Sequence, residues 1–131
     1  MIRYGFTKAA DLAIMRGFAR ALSASGVTVN AVLPGPTHTE GVAAMVASMG
    51  KSANDPKAQR DFIDGGRPSS IIKRLAEPEE IATVVAFLCS REASAITGAP
   101  VRADGGVVSC PLRDGGSARA DLTKHAAATF R

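Results

Sequence analysis

The chain has 131 residues and a net charge of +4, a length that suits one domain with one core. Nearly half of the residues are hydrophobic, yet no apolar run approaches the roughly 18 residues of a membrane-spanning helix. The basic residues are spread out without interleaved aromatics, so neither a nucleic acid nor a membrane is an expected partner. No secretory signal is recognisable and the two cysteines form no disulfide framework, which makes the cytoplasm the expected compartment.

The first predicted element is a long helix over Tyr4–Ser23. Its residues are apolar on nearly every side, which predicts burial on more than one face. Gly26 is placed to end the helix in a left-handed conformation. The β-branched run Val27–Leu33 follows, and its lack of polar alternation predicts a strand covered on both faces, as in a parallel sheet. A Pro-Gly-Pro sequence at residues 34–36 ends that strand.

Residues 36–75 are interpreted as an insertion between core elements. The region contains a predicted helix at Gly41–Met49 and further helical turns at Lys57–Ile63, separated by a polar break. Insertions of this kind in α/β proteins often shape a substrate site. We therefore expect residues 36–75 to form the substrate-loop region.

The remaining predicted elements are a helix and a short strand. Glu77 and Pro78 open the helix, because proline fits the first helical turn and acidic residues favour the positive end of the helix dipole. Cys89, at the end of this helix, is predicted to be a buried, inert thiol. Ala99–Ala103 is the second strand, closed by a tight turn at 104–106, and a right-handed crossover would place it parallel to the first.

The last part of the chain, residues 109–131, differs in character from the rest. It has few β-branched residues and no clear amphipathic face, so we expect a loose tail with at most a weak helix. The sequence predicts no function for this tail.

The candidate chemistry is carried by Tyr4 and Lys8, which are one helical turn apart and therefore share a face. A free phenol is a poor acid–base catalyst at neutral pH. A nearby ammonium favours its phenolate form, strongly only where the pair is partly buried. Such a tyrosine can give a proton to a carbonyl oxygen as hydride arrives. Taken alone, the spacing also fits a half-buried tyrosine beside a solvated lysine.

The segments around this pair form an ordered series. They are Tyr4-Gly5-Phe6-Thr7-Lys8, Val29–Thr37, Glu77–Ala82, Ile96-Thr97-Gly98 and Asp104-Gly105-Gly106. In order and spacing the series resembles the short-chain dehydrogenase/reductase family, and 3-oxoacyl carrier-protein reductases in particular, over about residues 2–108. The resemblance implies an α/β, Rossmann-type parent fold, a nicotinamide cofactor (NAD or NADP), and interconversion of an alcohol and a ketone.

The resemblance also implies roles for individual residues. Tyr4 would be the proton donor, and Lys8 would assist it and bind the nicotinamide ribose. The other expected cofactor contacts are Pro34, Gly35, Thr37 and Thr39. Pro36 and His38 would face the substrate, although a lone loop histidine is also typical of an ordinary surface position. No metal site is implied.

Several family features have no counterpart in the 131 residues, notably the glycine-rich turn that binds the cofactor pyrophosphate. We therefore expect residues 1–108 to be the C-terminal fragment of a doubly wound parallel sheet, with about two strands and covering helices. Such a truncated chain is expected to be inactive alone. The alternative is a non-enzymatic interaction fragment. It would form homo-oligomers or bind a full-length relative through the Tyr4–Ser23 and Glu79–Cys89 helices.

Overall fold

The computed structural model describes residues 2–108, so the expected tail at 109–131 lies outside the described residues. Four α-helices, two β-strands and one short 3-10 helix make up this part of the chain. In chain order they are α1 (Ile2–Ala21), β1 (Ala31–Pro34), α2 (Glu40–Ser48), α3 (Pro56–Gly66), α4 (Pro78–Leu88), the 3-10 helix (Arg91–Ala93) and β2 (Pro100–Ala103). Within residues 2–108, no helix combines the length and apolarity needed to cross a membrane.

The two strands pair in parallel, which confirms the predicted α/β class and strand direction. Ala31 lies opposite Pro100, and Pro34 lies opposite Ala103. The first strand is shorter than predicted, because the chain beside residues 27–30 turns at Gly98, where φ is +66°. There the Gly98 N–H donates to the Val29 carbonyl over 2.7 Å, and no regular ladder forms.

Asn30 joins the starts of the two strands through its side chain. Its Nδ2 donates to the Ile96 carbonyl over 2.8 Å, and its Oδ1 accepts from the Ala99 N–H over 3.1 Å. The half-buried side-chain amide of Asn30 therefore has both its donor and its acceptor hydrogen-bonded, and these contacts take the place of backbone pairing where the strands begin.

Helix α1 is far less buried than its sequence predicted. Among its residues only Met15 and Ala19 are buried, whereas Phe6 is 75% exposed. The prediction of burial on more than one face is therefore wrong for the described chain. The helix meets the strand region near its C-terminal end, where the Arg16 guanidinium donates to the Gly98 carbonyl over 3.3 Å. Because the buried residues and this hydrogen bond all lie between Met15 and Ala19, most of the 20-residue helix is left in solvent.

The helix also ends earlier than predicted, at Ala21. A series of turns follows and leads to Gly26. Gly26 has a φ of +74°, as predicted for the residue that terminates this segment.

A buried hydrophobic cluster lies inside the predicted insertion. Val46, Ala53 and Ala58 form a buried cluster, on which Val42, Ala43 and Phe62 pack. Helices α2 and α3 both occur where helical turns were predicted, and α3 continues to Gly66. Asp55 caps α3 by accepting from the Lys57 N–H over 3.0 Å.

Helix α4 starts as predicted, with Glu77 as its N-cap and Pro78 in the first turn. The Glu77 N–H donates to the Glu80 carboxylate over 2.8 Å, which satisfies a backbone donor at the helix start. Cys89 is exposed, so its predicted burial is wrong. Leu88 is the buried residue at this end of α4. Cys89 stays in solvent because the sheet within residues 2–108 has only two strands and is too narrow to cover it.

The turn after β2 forms as predicted and holds the end of the insertion. Gly105 and Gly106 both have positive φ, and Asp104 Oδ1 accepts from the Gly106 N–H over 3.0 Å. The Gly105 carbonyl accepts from the N–H groups of Ile71 and Ile72, over 2.8 and 3.2 Å. The turn thereby fixes residues 71–72 beside the end of the sheet.

Candidate functional site

The carboxyl ends of β1 and β2 lie at the same edge of the sheet because the strands are parallel. Strand β1 leads there into a loop that runs from Gly35 to Thr39, and β2 leads into Asp104. In open α/β folds this edge is the usual place for a ligand. Most of the sequence-predicted cofactor and substrate contacts are therefore collected at one end of the sheet.

Gly35 allows the loop to approach the end of β2 closely. Its N–H donates to the Ala103 carbonyl over 3.1 Å. A Cβ atom at this position would lie 2.6 Å from the backbone oxygen of Asp104, so only glycine fits without a shift of the backbone. The hydroxyl of Thr37 donates to the Gly35 carbonyl over 3.0 Å and folds the loop back on itself.

The backbone of Thr37 carries the one open donor that we identify in this loop. Thr37 and Ala76 form an isolated parallel bridge, in which the Ala76 N–H donates to Pro36 and the His38 N–H donates to Ala76. Because backbone groups alternate along an extended chain, the Thr37 N–H points away from Ala76. Within residues 2–108 it donates no hydrogen bond, whereas the Thr37 carbonyl accepts from Thr39.

Thr39 serves as the N-cap of α2. Its side-chain oxygen accepts from the Val42 N–H over 3.4 Å. This contact places the N-terminal end of α2 directly after the loop, with the partial positive charge of a helix start. The Thr39 hydroxyl that was predicted to contact the cofactor amide therefore has a structural task in the described chain.

The His38 ring lies against the start of α4. Its Nδ1 is 3.4 Å from the Glu77 carboxylate, and its side chain is only 25% exposed. The histidine predicted to face a substrate thus contacts a side chain of the neighbouring helix. Sequence reasoning had not linked His38 with Glu77, since 39 residues separate them and no local pattern joins them.

Tyr4 and Lys8 lie together on α1, as predicted from their spacing. The Lys8 ammonium is 6.0 Å from the centroid of the Tyr4 ring. The same ammonium donates to the Asp11 carboxylate over 2.9 Å. The hydrogen bond and the charge of Asp11 raise the pKa of Lys8 above its ordinary value. Asp11 was missed in the sequence, although its i,i+3 spacing from Lys8 signals the contact.

The two parts of the predicted site are not joined by polar contacts. No hydrogen bond or ion pair within residues 2–108 links Tyr4 or Lys8 to the loop from Gly35 to Thr39. Tyr4 is 65% exposed. The described residues therefore do not supply the partial burial on which the sequence argument for an activated phenol depends.

Several charged groups of residues 2–108 form ion pairs, among them Lys8 with Asp11 and Arg74 with Glu80. Among residues 2–108, no three His, Cys, Asp or Glu side chains come together in a way that could hold a metal ion. What this part of the chain offers instead is an ammonium beside a phenol and an open backbone donor at the strand end. Such groups suit the hydroxyls and the amide of an organic ligand.

Comparisons with known proteins agree on one family. The family model described as enoyl-(acyl carrier protein) reductase matches residues 2–108. The uncharacterized oxidoreductase YvaG of Bacillus subtilis is 47% identical over 110 residues, which are 82% of this chain and 42% of that protein. The 3-oxoacyl-[acyl-carrier-protein] reductase of Vibrio cholerae is 38% identical over 104 residues, with 79% and 37% covered.

Solved structures show the same relationship. The L-sorbose reductase of Gluconobacter frateurii, determined with NADPH and L-sorbose, matches with a TM-score of 0.69 and 28% identity. The match covers 82% of this chain and 40% of the reductase. The chain thus spans about two-fifths of the length of these relatives. Because the family model covers most of the sequence, the chain belongs to the short-chain dehydrogenase/reductase family.

Proposed function

We propose that this chain carries the proton-transfer residues and the nicotinamide-side loop of an NAD- or NADP-dependent oxidoreductase. Its substrate would be a small alcohol or ketone. The observation that carries the proposal is the position of the Lys8 ammonium, 6.0 Å from the Tyr4 ring centroid on one face of α1. A phenol beside a fixed positive charge is suited to exchange a proton with a carbonyl oxygen.

The donors of this chain fit a nicotinamide nucleotide, which supplies or accepts the hydride when bound. Lysine has three N–H donors, and Lys8 uses one of them for Asp11. The others would donate to the ribose hydroxyls and to the phenol oxygen. The open N–H of Thr37 suits the carboxamide oxygen, with Pro34 and Gly35 beside the ring and Thr39 at the amide.

Tyr4 performs the proton step in this proposal. In the reductive direction its hydroxyl gives a proton to the carbonyl oxygen while the carbonyl carbon is reduced by hydride. The positive charge of Lys8 stabilises the phenolate that remains. In the oxidative direction Tyr4 takes the proton back from the alcohol. Pro36 and His38, with the rest of residues 36–75, lie after the strand end and form the substrate side.

We further propose that the 131-residue polypeptide has little or no activity by itself. Tyr4 is two-thirds exposed and the Lys8–Asp11 pair lies in solvent, where charge interactions are weak. A pocket that excludes water would strengthen the influence of Lys8 on the phenol. Another polypeptide surface over α1 would be needed to provide it.

A chimera tests whether Tyr4 and Lys8 can support catalysis in a complete enzyme, independently of whether the isolated chain is active. Residues 2–108 would replace the matching segment of the Vibrio cholerae reductase, and nicotinamide oxidation would be followed with a 3-oxoacyl substrate. We expect activity in the chimera, at least a hundredfold loss on Tyr4→Phe, and nucleotide binding that survives this change. Thr7→Ser, on the same turn, is the matched control. A folded chimera that works equally well with Phe at position 4 contradicts the proposal.

A second candidate function is supported by the surface of α1. Ile2, Phe6, Ile14 and Phe18 are all more than half exposed. Ile2 and Phe6 are one helical turn apart, as are Ile14 and Phe18, so each pair forms an exposed apolar patch on α1. Large exposed apolar surfaces of this kind mark interaction sites. The chain would then act as an interaction fragment that binds a second copy or a full-length relative through α1 and α4.

Sedimentation analysis tests this second candidate. The purified chain would be measured alone and together with full-length YvaG. Replacing Phe6 and Phe18 with glutamine should weaken any association, whereas Met49→Gln, at a residue at the end of α2 that is as exposed as Phe18, should not. If the chain is monomeric alone and does not bind YvaG in any sample, the proposed role as an interaction fragment is excluded.

A further inference from the structure

The segment from Leu75 to Glu77 is held from several sides beside the loop that follows β1. The Leu75 N–H donates to Oε1 of Gln59, in α3, over 3.1 Å. The Glu77 N–H donates to the carboxylate of Glu80, in α4, over 2.8 Å. Leu75 and Ala76 are buried, with 1% and 7% of their surface exposed. These three residues, which we call the platform, are therefore fixed by side chains of two helices.

The loop that carries the open Thr37 N–H is attached to the platform by a single bridge. The Ala76 N–H donates to the Pro36 carbonyl over 2.9 Å, and the His38 N–H donates to the Ala76 carbonyl over 2.8 Å. Within the described residues this bridge is isolated and does not belong to a longer ladder. Because an isolated bridge restrains a loop less than a ladder does, an additional contact has a larger effect here.

The contact of His38 with Glu77 extends the bridge by one pair of side chains. Thr37 lies opposite Ala76, so the next residues along the two parallel segments, His38 and Glu77, lie opposite each other. Side chains that are opposite in this way project on the same face and interact. The His38 Nδ1 is 3.4 Å from the Glu77 carboxylate, and the imidazole side chain is only 25% exposed. The residue next to the open donor is therefore tied to the start of α4.

The peptide unit between Pro36 and Thr37 explains how this tie orients the donor. Its carbonyl and its N–H lie in one plane and point in opposite directions. The Ala76 N–H holds the carbonyl, so the Thr37 N–H is directed away from the platform. On the other side of Thr37, the next residue is held by both its backbone and its imidazole. The direction of the N–H is thus restrained from both sides.

We propose that His38 is a positioning residue that acts through Glu77. The pair fixes the direction of the Thr37 N–H and thereby raises the affinity for the nicotinamide nucleotide. This inference rests on the proposed function, in which that N–H donates to the carboxamide of the nucleotide. A donor that is already oriented binds its acceptor without the cost of ordering the loop. His38 belongs to the substrate side of the loop, yet its imidazole acts on the nucleotide through the backbone.

Three variants distinguish positioning from a direct contact of His38 with the substrate. His38→Ala removes the imidazole, and Glu77→Ala removes its partner. His38→Asn keeps a side-chain nitrogen where Nδ1 lies, because Nδ2 of asparagine and Nδ1 of histidine are both bonded to Cγ. Glu79→Ala removes another carboxylate from the first turn of α4 and is the matched control.

The chimera with the Vibrio cholerae reductase provides the first test. Fluorescence titration with NADPH and NADH gives the nucleotide Kd, and turnover at saturating nucleotide gives kcat. We expect His38→Ala and Glu77→Ala each to raise Kd about three- to tenfold, with kcat changed by less than about twofold. The double variant should cost no more than either single variant, because both remove the same contact. His38→Asn should recover most of the affinity.

The outcomes separate this inference from the proposed function. If turnover requires Tyr4 but the nucleotide Kd ignores His38 and Glu77, this inference alone is overturned. If His38→Ala raises only the KM of the ketone and Glu77→Ala has no effect, His38 contacts the substrate directly and the positioning role is wrong. Turnover that survives Tyr4→Phe contradicts the proposed function, whereas the Kd values still report on the pair.

Amide hydrogen exchange in the 131-residue chain tests the pair without a nucleotide. Protection of the Ala76 N–H, which donates across the bridge, should fall in His38→Ala and Glu77→Ala but not in His38→Asn or Glu79→Ala. The Gly35 N–H, which donates to β2, should keep its protection and shows that each variant is folded. Equal protection of Ala76 in all variants would overturn the proposal, and this measurement decides if the chimera binds no nucleotide.

Discussion

The Lys8 ammonium donates a hydrogen bond to the Asp11 carboxylate over 2.9 Å, on the face of α1 that also carries Tyr4. The side chains of this ion pair are 59% and 60% exposed. The residue proposed to assist proton transfer therefore already has an acidic partner in the described chain. Asp11 holds the ammonium charged and restricts its position.

Replacing Asp11 with asparagine should lower the pKa of Lys8 toward its ordinary value of 10.5. The physical reason is the loss, first, of the side-chain hydrogen bond and, second, of the negative charge that now raise this pKa. NMR titration of the Lys8 side chain measures the change. Asp61→Asn, which removes the partner of Lys51, is the control and should leave Lys8 unaffected. An unchanged Lys8 pKa in the Asp11 variant would show that the pair does not persist in solution.

Glu80 should make the stability of the chain depend on acid pH. Two hydrogen bonds from the Arg74 guanidinium, over 2.7 and 2.8 Å, and one from the Glu77 N–H lower the pKa of Glu80 from 4.5 to about 2. The folded-state pKa lies below the ordinary value. The carboxylate therefore stabilises the folded chain above pH 4.5, and this contribution is lost as the pH falls toward about 2.

Urea unfolding at several pH values from neutral to acid checks this expectation. The midpoint of wild-type unfolding should fall more steeply over the acid range than the midpoint of Glu80→Gln. Glu79→Gln removes the adjacent carboxylate of the same helical turn and serves as the control, with a wild-type profile. If the unfolding midpoints of wild type and Glu80→Gln fall equally with pH, the contacts of Glu80 with Arg74 and Glu77 do not stabilise the folded chain.

Gly35→Ala should destabilise the chain by about 1–3 kcal/mol, the usual cost of overpacking. The added Cβ would lie 2.6 Å from the Asp104 oxygen and 2.8 Å from its Cα, and backbone atoms cannot rotate away. Gly17→Ala is the control, because no atom outside its own helix lies within 4 Å of the new Cβ. It should stabilise α1 by about 0.5–1 kcal/mol. Chemical denaturation measures the change in unfolding free energy for each variant. Similar changes for Gly35→Ala and Gly17→Ala would exclude a tight contact at Gly35.

Asn30→Ala should destabilise the chain by about 1–3 kcal/mol, since it leaves the Ile96 carbonyl and the Ala99 N–H without their partner. The loss should appear in thermal or urea unfolding. Asn54→Ala, at an exposed position in the loop before α3, is the matched control. If the two substitutions cost the same, the side chain of Asn30 does not join the strands.

Much of the fold could be predicted from local signals. The start of α4 at Glu77 and Pro78, the left-handed Gly26, and the turn at residues 104–106 all depend on backbone conformations that few residue types adopt. The parallel direction of β1 and β2 follows from the handedness of crossover connections. The same-face position of Tyr4 and Lys8 follows from helix geometry alone.

The candidate site could be predicted only in part. The positions of Pro34, Gly35 and Thr37 at the strand end follow from chain order. The contact of His38 with Glu77 does not, because it joins two segments that are distant in sequence. The open N–H of Thr37 was also beyond prediction, since it depends on the bridge with Ala76.

The sequence by itself determined where helices and turns begin and which residues share a helical face, because these properties depend on neighbours a few residues apart. It also determined the family of the chain, through the order and spacing of short segments along residues 2–108. Only the tertiary structure decided burial. Phe6 and Cys89 are apolar in type yet exposed, because their burial requires a second surface that residues 2–108 do not place over them. The extent of β1 was decided in the same way, since a strand is paired only as far as its neighbour remains extended.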